Sequence, residues 1–159
     1  MNININDINK IMDCIKKESE NFLRNDMSID ILEIKNIKKY TSKNHFSLIE
    51  LNGHVNLFIS LDIDDRLFDV LFHKFFKDNV TKEEKKELVN ALANEIINII
   101  VGLSIRNFPN KYKNLILGLP LETEDNLVFK NINTKLSSFC KITTRDGDLI
   151  CSILCRDIN

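Results

Sequence analysis

The segment from Phe46 to Leu61 constrains the fold of this chain most, because it has the alternating pattern of two paired β-strands. From residue 55 to residue 61, every second side chain is apolar and branched: Val55, Leu57, Ile59 and Leu61. Asn52-Gly53 separates this run from Phe46–Leu51, and Asn-Gly is favoured in type I′ turns, whose two central residues have positive φ angles. The segment therefore predicts a β-hairpin with a type I′ turn at Asn52-Gly53.

Three other segments have apolar side chains at helical spacing. They cover about residues 7–25, 67–76 and 81–107. The third begins with Thr81-Lys82-Glu83-Glu84, a capping box in which the Thr81 hydroxyl and the Glu84 carboxylate accept hydrogen bonds from amides at the start of the helix. Pro109 follows the end of this helix, as expected for a residue that cannot continue one.

Apolar runs flanked by turn residues predict the remaining strands. They lie at about residues 28–37, 115–121, 126–132, 137–144 and 149–155. Arg145-Asp146-Gly147-Asp148 joins the last two. A chain of 159 residues is long enough for one substantial core and too short for two domains of ordinary size. We therefore expect a single domain, residues 1–159, of the α/β class and α+β type, with two or three long helices packed on an antiparallel sheet.

Charge and hydrophobicity exclude several classes of partner. With 22 basic and 23 acidic residues the net charge is −1, and no basic stripe interleaves with aromatic residues, so nucleic-acid binding is not expected. The first residues lack a basic segment followed by an apolar block. The longest apolar stretch, Ile96–Leu103, is interrupted by Asn98 and is too short to span a bilayer. We expect a cytoplasmic protein without membrane insertion.

The chain carries few groups that could perform catalysis alone. Its cysteines are expected to be free thiols in a reducing compartment, and they are Cys14, Cys140, Cys151 and Cys155. Neither they nor the histidines have the spacing of metal ligands. Glycine-rich phosphate loops and spaced Ser/His/Asp or Cys/His sets are also missing from the sequence. We therefore expect no metal site, no cofactor of its own and no self-contained nucleophile.

One recurring pair is a glutamate followed three residues later by an asparagine. On a helix, this spacing places both side chains on neighbouring turns of one face, where they can act on a single partner. The pair occurs four times, at Glu18/Asn21, Glu33/Asn36, Glu87/Asn90 and Glu95/Asn98. As a motif it is weak, and the simplest interpretation is an ordinary core helix with Glu and Asn on its exposed side.

A helical wheel distinguishes the fourth pair from the others. Five apolar residues form one sector that is expected to face the core: Leu88, Leu92, Ile96, Ile99 and Leu103. Glu95 lies at the border of this sector, and Asn94 and Asn98 lie opposite. Ile97 and Val101 fall on the polar side beside Asn98, which predicts that a partner or a second subunit covers them.

The order of these elements and the sequence of the central helix resemble the CheX branch of the CheC/CheX/FliY chemotaxis phosphatases. In that family the helix carries a pattern close to Glu-[Leu/Ile]-x-Asn-[Met/Ile]-[Ile/Leu]-x-Gly, which this chain matches from Glu95 to Gly102. The hairpin at residues 51–55 and Pro120 fit the resemblance, which covers about residues 5–155 in element order. Two positions depart from the family. Ala91 stands four residues before the glutamate, where the family often has a small or acidic residue, and the glycine common after the family's proline is missing.

The resemblance implies hydrolysis of the aspartyl phosphate of a CheY-like response regulator. In such a reaction the regulator brings the phosphorylated aspartate, a Mg²⁺ ion and a lysine, so the phosphatase chiefly has to position a water molecule. By resemblance, Asn98 orients the attacking water and Glu95 pairs with the regulator's lysine. Asn94, Ile97 and Val101 are expected to contact the partner, and the family implies a homodimer formed through the sheet.

Two other functions are compatible with the same residues. A non-catalytic CheX-like module would bind a receiver or another chemotaxis protein through the same docking face without hydrolysis. A structural interaction domain would leave Glu95 and Asn98 merely solvated. The wider family also includes members with two active Glu-x-x-Asn pairs. We expect Glu18/Asn21 to be inactive, because no glycine follows four residues after Asn21.

Overall fold

The computed structural model describes residues 3–40, 43–77, 79–121 and 134–156. These residues form three α-helices, six β-strands and two short turns of π-helix and 3-10 helix. In chain order the elements are α1 (Ile5–Asn21), the π-helical turn Phe22–Asp26, β1 (Ile31–Ile37), β2 (His45–Asn52), β3 (Leu57–Ile63), α2 (Asp65–Phe76), α3 (Lys82–Ile105), the 3-10 turn Asn110–Tyr112, β4 (Ile116–Leu121), β5 (Thr134–Thr144) and β6 (Gly147–Arg156).

The six strands form an antiparallel sheet with the order β1-β5-β6-β3-β2-β4. β2 and β3 pair from His45 opposite Ile63 to Leu51 opposite Leu57, which confirms the predicted hairpin. β5 and β6 form a second hairpin around Arg145-Asp146. β1 and β4 lie at the two edges. Helices packed on an antiparallel sheet confirm the predicted α+β fold.

The type I′ turn predicted at Asn52-Gly53 is wrong. β2 continues through Asn52, β3 begins only at Leu57, and neither Asn52 nor Gly53 has a positive φ angle. The connection is longer because Val55 turns inward and buries its side chain in the core. A β-carbon at position 53 would lie 2.8 Å from Cδ2 of Leu115, so the end of that leucine side chain would have to shift to admit one.

Other predicted boundaries differ by a few residues. The first helix was expected to reach Asn25, whereas α1 ends at Asn21 and the π-helical turn continues the chain to Asp26. The strands expected near residues 28–37, 115–121, 137–144 and 149–155 are present as β1, β4, β5 and β6. The strand predicted at residues 126–132 lies outside the described residues.

The three helices pack on one face of the sheet. Alternate residues of β3 face them and join the main core, namely Leu57, Ile59, Leu61 and Ile63. The helices contribute residues such as Ile11 and Ile15 from α1 and Phe68 from α2. The intervening residue Phe58 points to the other face, where it packs with Leu48 and Leu154 in a second, smaller cluster. Side chains of β3 therefore alternate between the two faces of the sheet, as predicted. Those on one face join the main core, and Phe58 on the other face joins the smaller cluster.

α3 has the length and hydropathy of a helix that could cross a membrane, a property shared by the core helices of soluble proteins. Among the described residues, no other helix has this property. Its apolar side chains have partners inside the protein, because Leu92, Ile97 and Ile100 are buried in the main core. The apolar character of α3 is thus explained by its packing on the sheet and on α1.

Candidate functional site

α3 carries the Glu95/Asn98 pair and is the longest helix in the described part of the chain. It begins with the predicted capping box. The Thr81 amide donates a 2.8 Å hydrogen bond to the Glu84 carboxylate, and the Glu84 amide donates a 3.2 Å hydrogen bond to the Thr81 hydroxyl. The helix then continues without a break to Ile105. Side chains in its middle are therefore held on a stiff support, which a precise binding or catalytic site requires.

Contacts with α1 fix the second half of α3. The Ser104 hydroxyl donates a hydrogen bond to the Ile100 carbonyl at 2.6 Å, and the same hydroxyl lies 3.4 Å from the Cys14 carbonyl oxygen of α1. The Cys14 thiol in turn donates to the Asn107 carbonyl at 3.2 Å. α3 is therefore enclosed by α1 as well as by the sheet, and one side remains open to solvent.

The open side of α3 carries a row of four residues, which we call the exposed ridge: Ala91, Glu95, Asn98 and Gly102. At about 100° per residue, they fall within roughly 60° of the helix circumference. Ala91 and Glu95 are exposed, and Asn98 and Gly102 are partly buried. In the described part of the chain, neither the Glu95 nor the Asn98 side chain takes part in a hydrogen bond or an ion pair. Both side chains are therefore available to another molecule.

Ile97 and Val101 do not belong to a docking surface, and the prediction that a partner covers them is wrong. Both side chains are 0% exposed and belong to the main core. The helical wheel assigned the buried side of α3 to the wrong residues. Because α3 packs on both the sheet and α1, its apolar side chains cover a wide arc, and the centre of that arc cannot be read from the sequence. Asn94 is partly buried beside the ridge, and its contact with a partner stays a prediction.

The five residues expected to face the core divide into three groups. Leu92 and Ile96 are buried, which confirms their predicted position. Leu88 and Ile99 are partly buried against the core. Leu103 is 37% exposed, and its predicted burial is wrong. The true centre of the buried arc lies further round the helix, toward Ile97, than the wheel placed it.

The Glu18/Asn21 pair on α1 has a different environment from the pair on the ridge. The Glu18 carboxylate accepts a 3.4 Å hydrogen bond from the side-chain amide of Asn107, just beyond α3. The Asn21 side-chain oxygen accepts a 3.5 Å hydrogen bond from Asn25. Both members of this second pair thus have hydrogen-bond partners within the protein, and their inactivity stays a prediction.

The edge strand β4 borders the ridge at its C-terminal end. A β-carbon at position 102 would lie 3.8 Å from Cδ2 of Leu117. Two other β4 side chains project into solvent, with Ile116 70% exposed and Leu119 84% exposed. The sequence reasoning missed this apolar edge. The residues read as a strand, but nothing local indicated that the strand lies at an edge and beside the ridge.

Other catalytic groups do not accompany the ridge. Over residues 3–40, 43–77, 79–121 and 134–156, no group of His, Cys, Asp and Glu side chains is arranged to hold a metal ion. The four cysteines are free thiols. Burial raises the pKa of Cys140 to about 11 and that of Cys151 to about 12, so these thiols are poor nucleophiles at neutral pH. The chemistry available on the exposed ridge is therefore that of one carboxylate, Glu95, and one carboxamide, Asn98.

No protein-family model matches the chain, and no curated protein matches it. Its fold is nevertheless similar to those of solved chemotaxis proteins. A chain in the crystal structure of the CheX–CheY–BeF3–Mg²⁺ complex from Borrelia burgdorferi superposes with a TM-score of 0.71 at 23% identity, covering 97% of this chain and 100% of that one.

Two further structures have the same fold. The chemotaxis protein CheX from Vibrio vulnificus gives a TM-score of 0.69 at 16% identity, covering 98% of this chain and 100% of that one. A CheC-like superfamily protein from Shewanella sp. PV-4 gives 0.67 at 15% identity, with the same two coverages. The resemblance to CheX is thus confirmed at the level of the fold, which is that of the CheC/CheX-like proteins.

Proposed function

We propose that this chain is a CheX-like phosphatase that hydrolyses the aspartyl phosphate of a CheY-like response regulator in the cytoplasm. The exposed ridge of α3 carries the proposal, because Glu95 and Asn98 lie there side by side with no partner among the described residues. The similarity in fold to a chain crystallised in a CheX–CheY complex supports the choice of partner.

Asn98 is the catalytic residue of this proposal. Its carboxamide can accept a hydrogen bond from a water molecule through oxygen and donate one through nitrogen. Such a side chain, inserted beside the acyl phosphate, orients the water toward phosphorus. The water oxygen forms the new bond to phosphorus, and the bond from phosphorus to the aspartyl oxygen breaks. The aspartate leaves as a carboxylate with the bonding electrons, and both protons of the water remain on the product, which is dihydrogen phosphate.

Glu95 positions the two proteins. Its carboxylate lies one turn before Asn98 on the same stiff helix, so an ion pair with the receiver's lysine fixes the distance at which Asn98 enters the phosphorylation site. Charge-assisted hydrogen bonds of this kind are about twice as strong as neutral ones. The capped helix and its contacts with α1 limit movement of the pair, and a misplacement of about 1 Å can cost about 100-fold in rate.

The receiver supplies the remaining chemistry. In this proposal its Mg²⁺ ion compensates the charge on the transferred phosphoryl group, and this chain needs no metal or cofactor of its own. The arrangement is consistent with a site built from one carboxylate and one amide. Asn94 lies beside the ridge and completes the proposed contact surface.

A homodimer formed through the β4 edge is the second part of the proposal. An edge strand presents unpaired backbone groups, and natural proteins usually protect such edges with charged residues or proline. β4 carries one such residue, Pro120, but it also exposes the apolar side chains of Ile116 and Leu119. A second copy of β4, paired antiparallel, would satisfy the backbone groups and cover both side chains.

The phosphatase proposal is tested with a CheY-like receiver protein from the same organism. The receiver is phosphorylated with a small phosphodonor in the presence of Mg²⁺, and the release of inorganic phosphate is followed with and without this chain. Catalytic amounts of the chain should accelerate release. The measurement is repeated with Asn98→Ala. A slower release of phosphate with this variant would show that the acceleration depends on the exposed ridge.

The same experiment distinguishes the phosphatase from a binding module. Beryllofluoride forms a stable analogue of the aspartyl phosphate, so binding can be measured without turnover. Tight binding to the beryllofluoride-loaded receiver, together with no acceleration of phosphate release, would contradict the phosphatase and support a non-catalytic CheX-like module. If the chain neither binds the receiver nor accelerates phosphate release, the remaining interpretation is a structural interaction domain.

A further inference from the structure

Gly102 differs from Gly118 and Gly147 because the fold does not require a glycine at position 102. A β-carbon at Gly118 would lie 3.0 Å from the Glu50 carbonyl oxygen, and one at Gly147, where φ is +132°, would lie 2.6 Å from Cβ of Asp64. At Gly53 the close atom, 2.8 Å away, is the far end of the Leu115 side chain, which can shift. At Gly102 the nearest atom outside the helix is 3.8 Å from the β-carbon position, an ordinary van der Waals distance.

Glycine is also an unfavourable choice for the interior of a helix. It loses more conformational freedom on folding than any other residue, whereas alanine is the best helix former. Gly102 is a helical residue in the last turn of α3, which ends at Ile105. Alanine at this position would fit beside Leu117 and would stabilise the helix, so the packing of this protein gives no reason for the glycine.

The position of Gly102 on the exposed ridge indicates that the glycine serves contact with another protein. It lies one turn beyond Asn98 on the exposed ridge, on the opposite side of Asn98 from Glu95. Without a β-carbon, the backbone of α3 is only partly covered at this point, by Leu117 of β4. Another surface can approach it more closely here than at a position with a side chain.

We propose that Gly102 is a docking contact, at which the receiver's surface touches the backbone of α3 while Asn98 enters the phosphorylation site. This inference rests on the proposed phosphatase function. A methyl group at position 102 would hold the receiver away from the helix and withdraw the Asn98 amide from the phosphorus. Shifts of about 1 Å are enough to reduce rates about 100-fold.

The test compares Gly102→Ala with the wild-type chain. Urea denaturation measures stability, binding to the beryllofluoride-loaded receiver measures docking, and phosphate release measures activity. The variant should have a higher urea midpoint than wild type, yet bind the receiver at least about 10-fold more weakly and accelerate release correspondingly less. A stabilised helix with weakened docking is a combination that a purely structural role cannot produce.

Asn90→Ala is the matched control. Asn90 is an exposed residue of the same helix, away from the ridge, and its replacement also raises helix propensity. It should increase the urea midpoint and leave docking unchanged. A larger side chain in Gly102→Leu should weaken docking further than Gly102→Ala does.

Each alternative result overturns the inference in a recognisable way. If the wild-type chain binds and dephosphorylates the receiver and Gly102→Ala does so equally well, the close contact is wrong and the phosphatase proposal stands. If Gly102→Ala lowers the urea midpoint, the glycine serves the fold. If the wild-type chain neither binds nor dephosphorylates the receiver, both proposals fail together.

Discussion

Tyr112 donates a 2.9 Å hydrogen bond to the Asp7 carboxylate and thereby joins the connection between α3 and β4 to the first turn of α1. The same carboxylate oxygen accepts a 2.8 Å hydrogen bond from Nζ of Lys111. Asp7 also closes a capping box with Asn4 at the start of α1. One buried carboxylate therefore fixes how the end of α3 meets α1, and this contact contributes to the rigidity of the exposed ridge.

This arrangement predicts a pH-dependent contribution of Asp7 to stability. The hydrogen bond from Lys111 is the main cause that lowers the pKa of the Asp7 carboxyl below its ordinary value of 3.8. A carboxyl whose pKa is lower in the folded state stabilises the fold above its unfolded pKa, and this contribution is lost as the pH falls through the folded pKa. Asp7→Asn should therefore lower the free energy of unfolding by about 1–3 kcal/mol at neutral pH. The difference from wild type should shrink as the pH falls below 3.8.

Urea denaturation at neutral pH and at a pH below 3.8 measures the difference in free energy of unfolding between Asp7→Asn and wild type. Asp13→Asn is the control on the same helix. Asp13 is exposed and pairs with Lys16 at 3.3 Å, and surface pairs of this kind contribute about 0–1 kcal/mol. Equal effects of the two substitutions at neutral pH would contradict the role assigned to Asp7.

The elements that depend on local sequence were predictable. The hairpin of β2 and β3 follows from alternation within one segment, and the start of α3 follows from Thr81 and Glu84, three residues apart. The order of the strands was not predictable in this way, because β3 lies beside β6 and Ile59 pairs with Ile153 from the other end of the chain. No local sequence pattern determines which distant strands pair.

The site shows the same division between local and distant information. The spacing of Glu95 and Asn98 follows from one helix, and the structure places both on its open side. The burial of Ile97 and Val101 depends on two neighbours, α1 and the sheet, whose positions around α3 a wheel does not contain. The apolar edge beside the ridge depends in turn on the place of β4 in the strand order.

The second Glu-x-x-Asn pair is predicted to be inactive. Glu18 is engaged by Asn107, and Asn21 by Asn25. Asn21→Ala should therefore leave the stimulated release of phosphate from a phosphorylated receiver near the wild-type rate. The comparison is made with Asn98→Ala in the same assay. If both variants slow release equally, the chain has two active sites.

Leu119→Lys is predicted to separate the proposed homodimer. Leu119 is 84% exposed on β4, so the substitution costs the monomer little. In a dimer formed through β4 it would bury a lysine against a second copy. Light scattering coupled to size-exclusion chromatography should show a dimer for wild type and a monomer for the variant.

Leu32 provides the matched control for the opposite edge. It lies on β1 and is 59% exposed. Leu32→Lys should leave the dimer intact. A wild-type chain that is monomeric at all concentrations tested, or a Leu119→Lys variant that remains dimeric, would rule out the β4 interface.

Glu95→Gln is predicted to weaken association with the receiver. The change keeps the shape of the side chain and removes the charge that pairs with the receiver's lysine. Hydrogen bonds to charged groups contribute about 1.5–3 kcal/mol, so the dissociation constant for the beryllofluoride-loaded receiver should rise by about 10-fold or more. The difference from wild type should narrow at high salt, where the attraction is screened. Glu87→Gln, at an exposed position of the same helix, should show no such change.

Asn98→Ala is predicted to separate catalysis from binding. Removing a group that orients the reacting atoms typically lowers the rate about 100-fold to 1,000-fold, so stimulated phosphate release should be lost almost completely. Binding of the beryllofluoride-loaded receiver should persist, because the amide is small and the rest of the ridge, including Glu95, is unchanged. Titration calorimetry measures the binding, and a phosphate-release assay measures the rate. A variant that retains the wild-type rate would remove Asn98 from the reaction, and a variant that loses binding and rate together would make it a docking residue instead of a catalytic one.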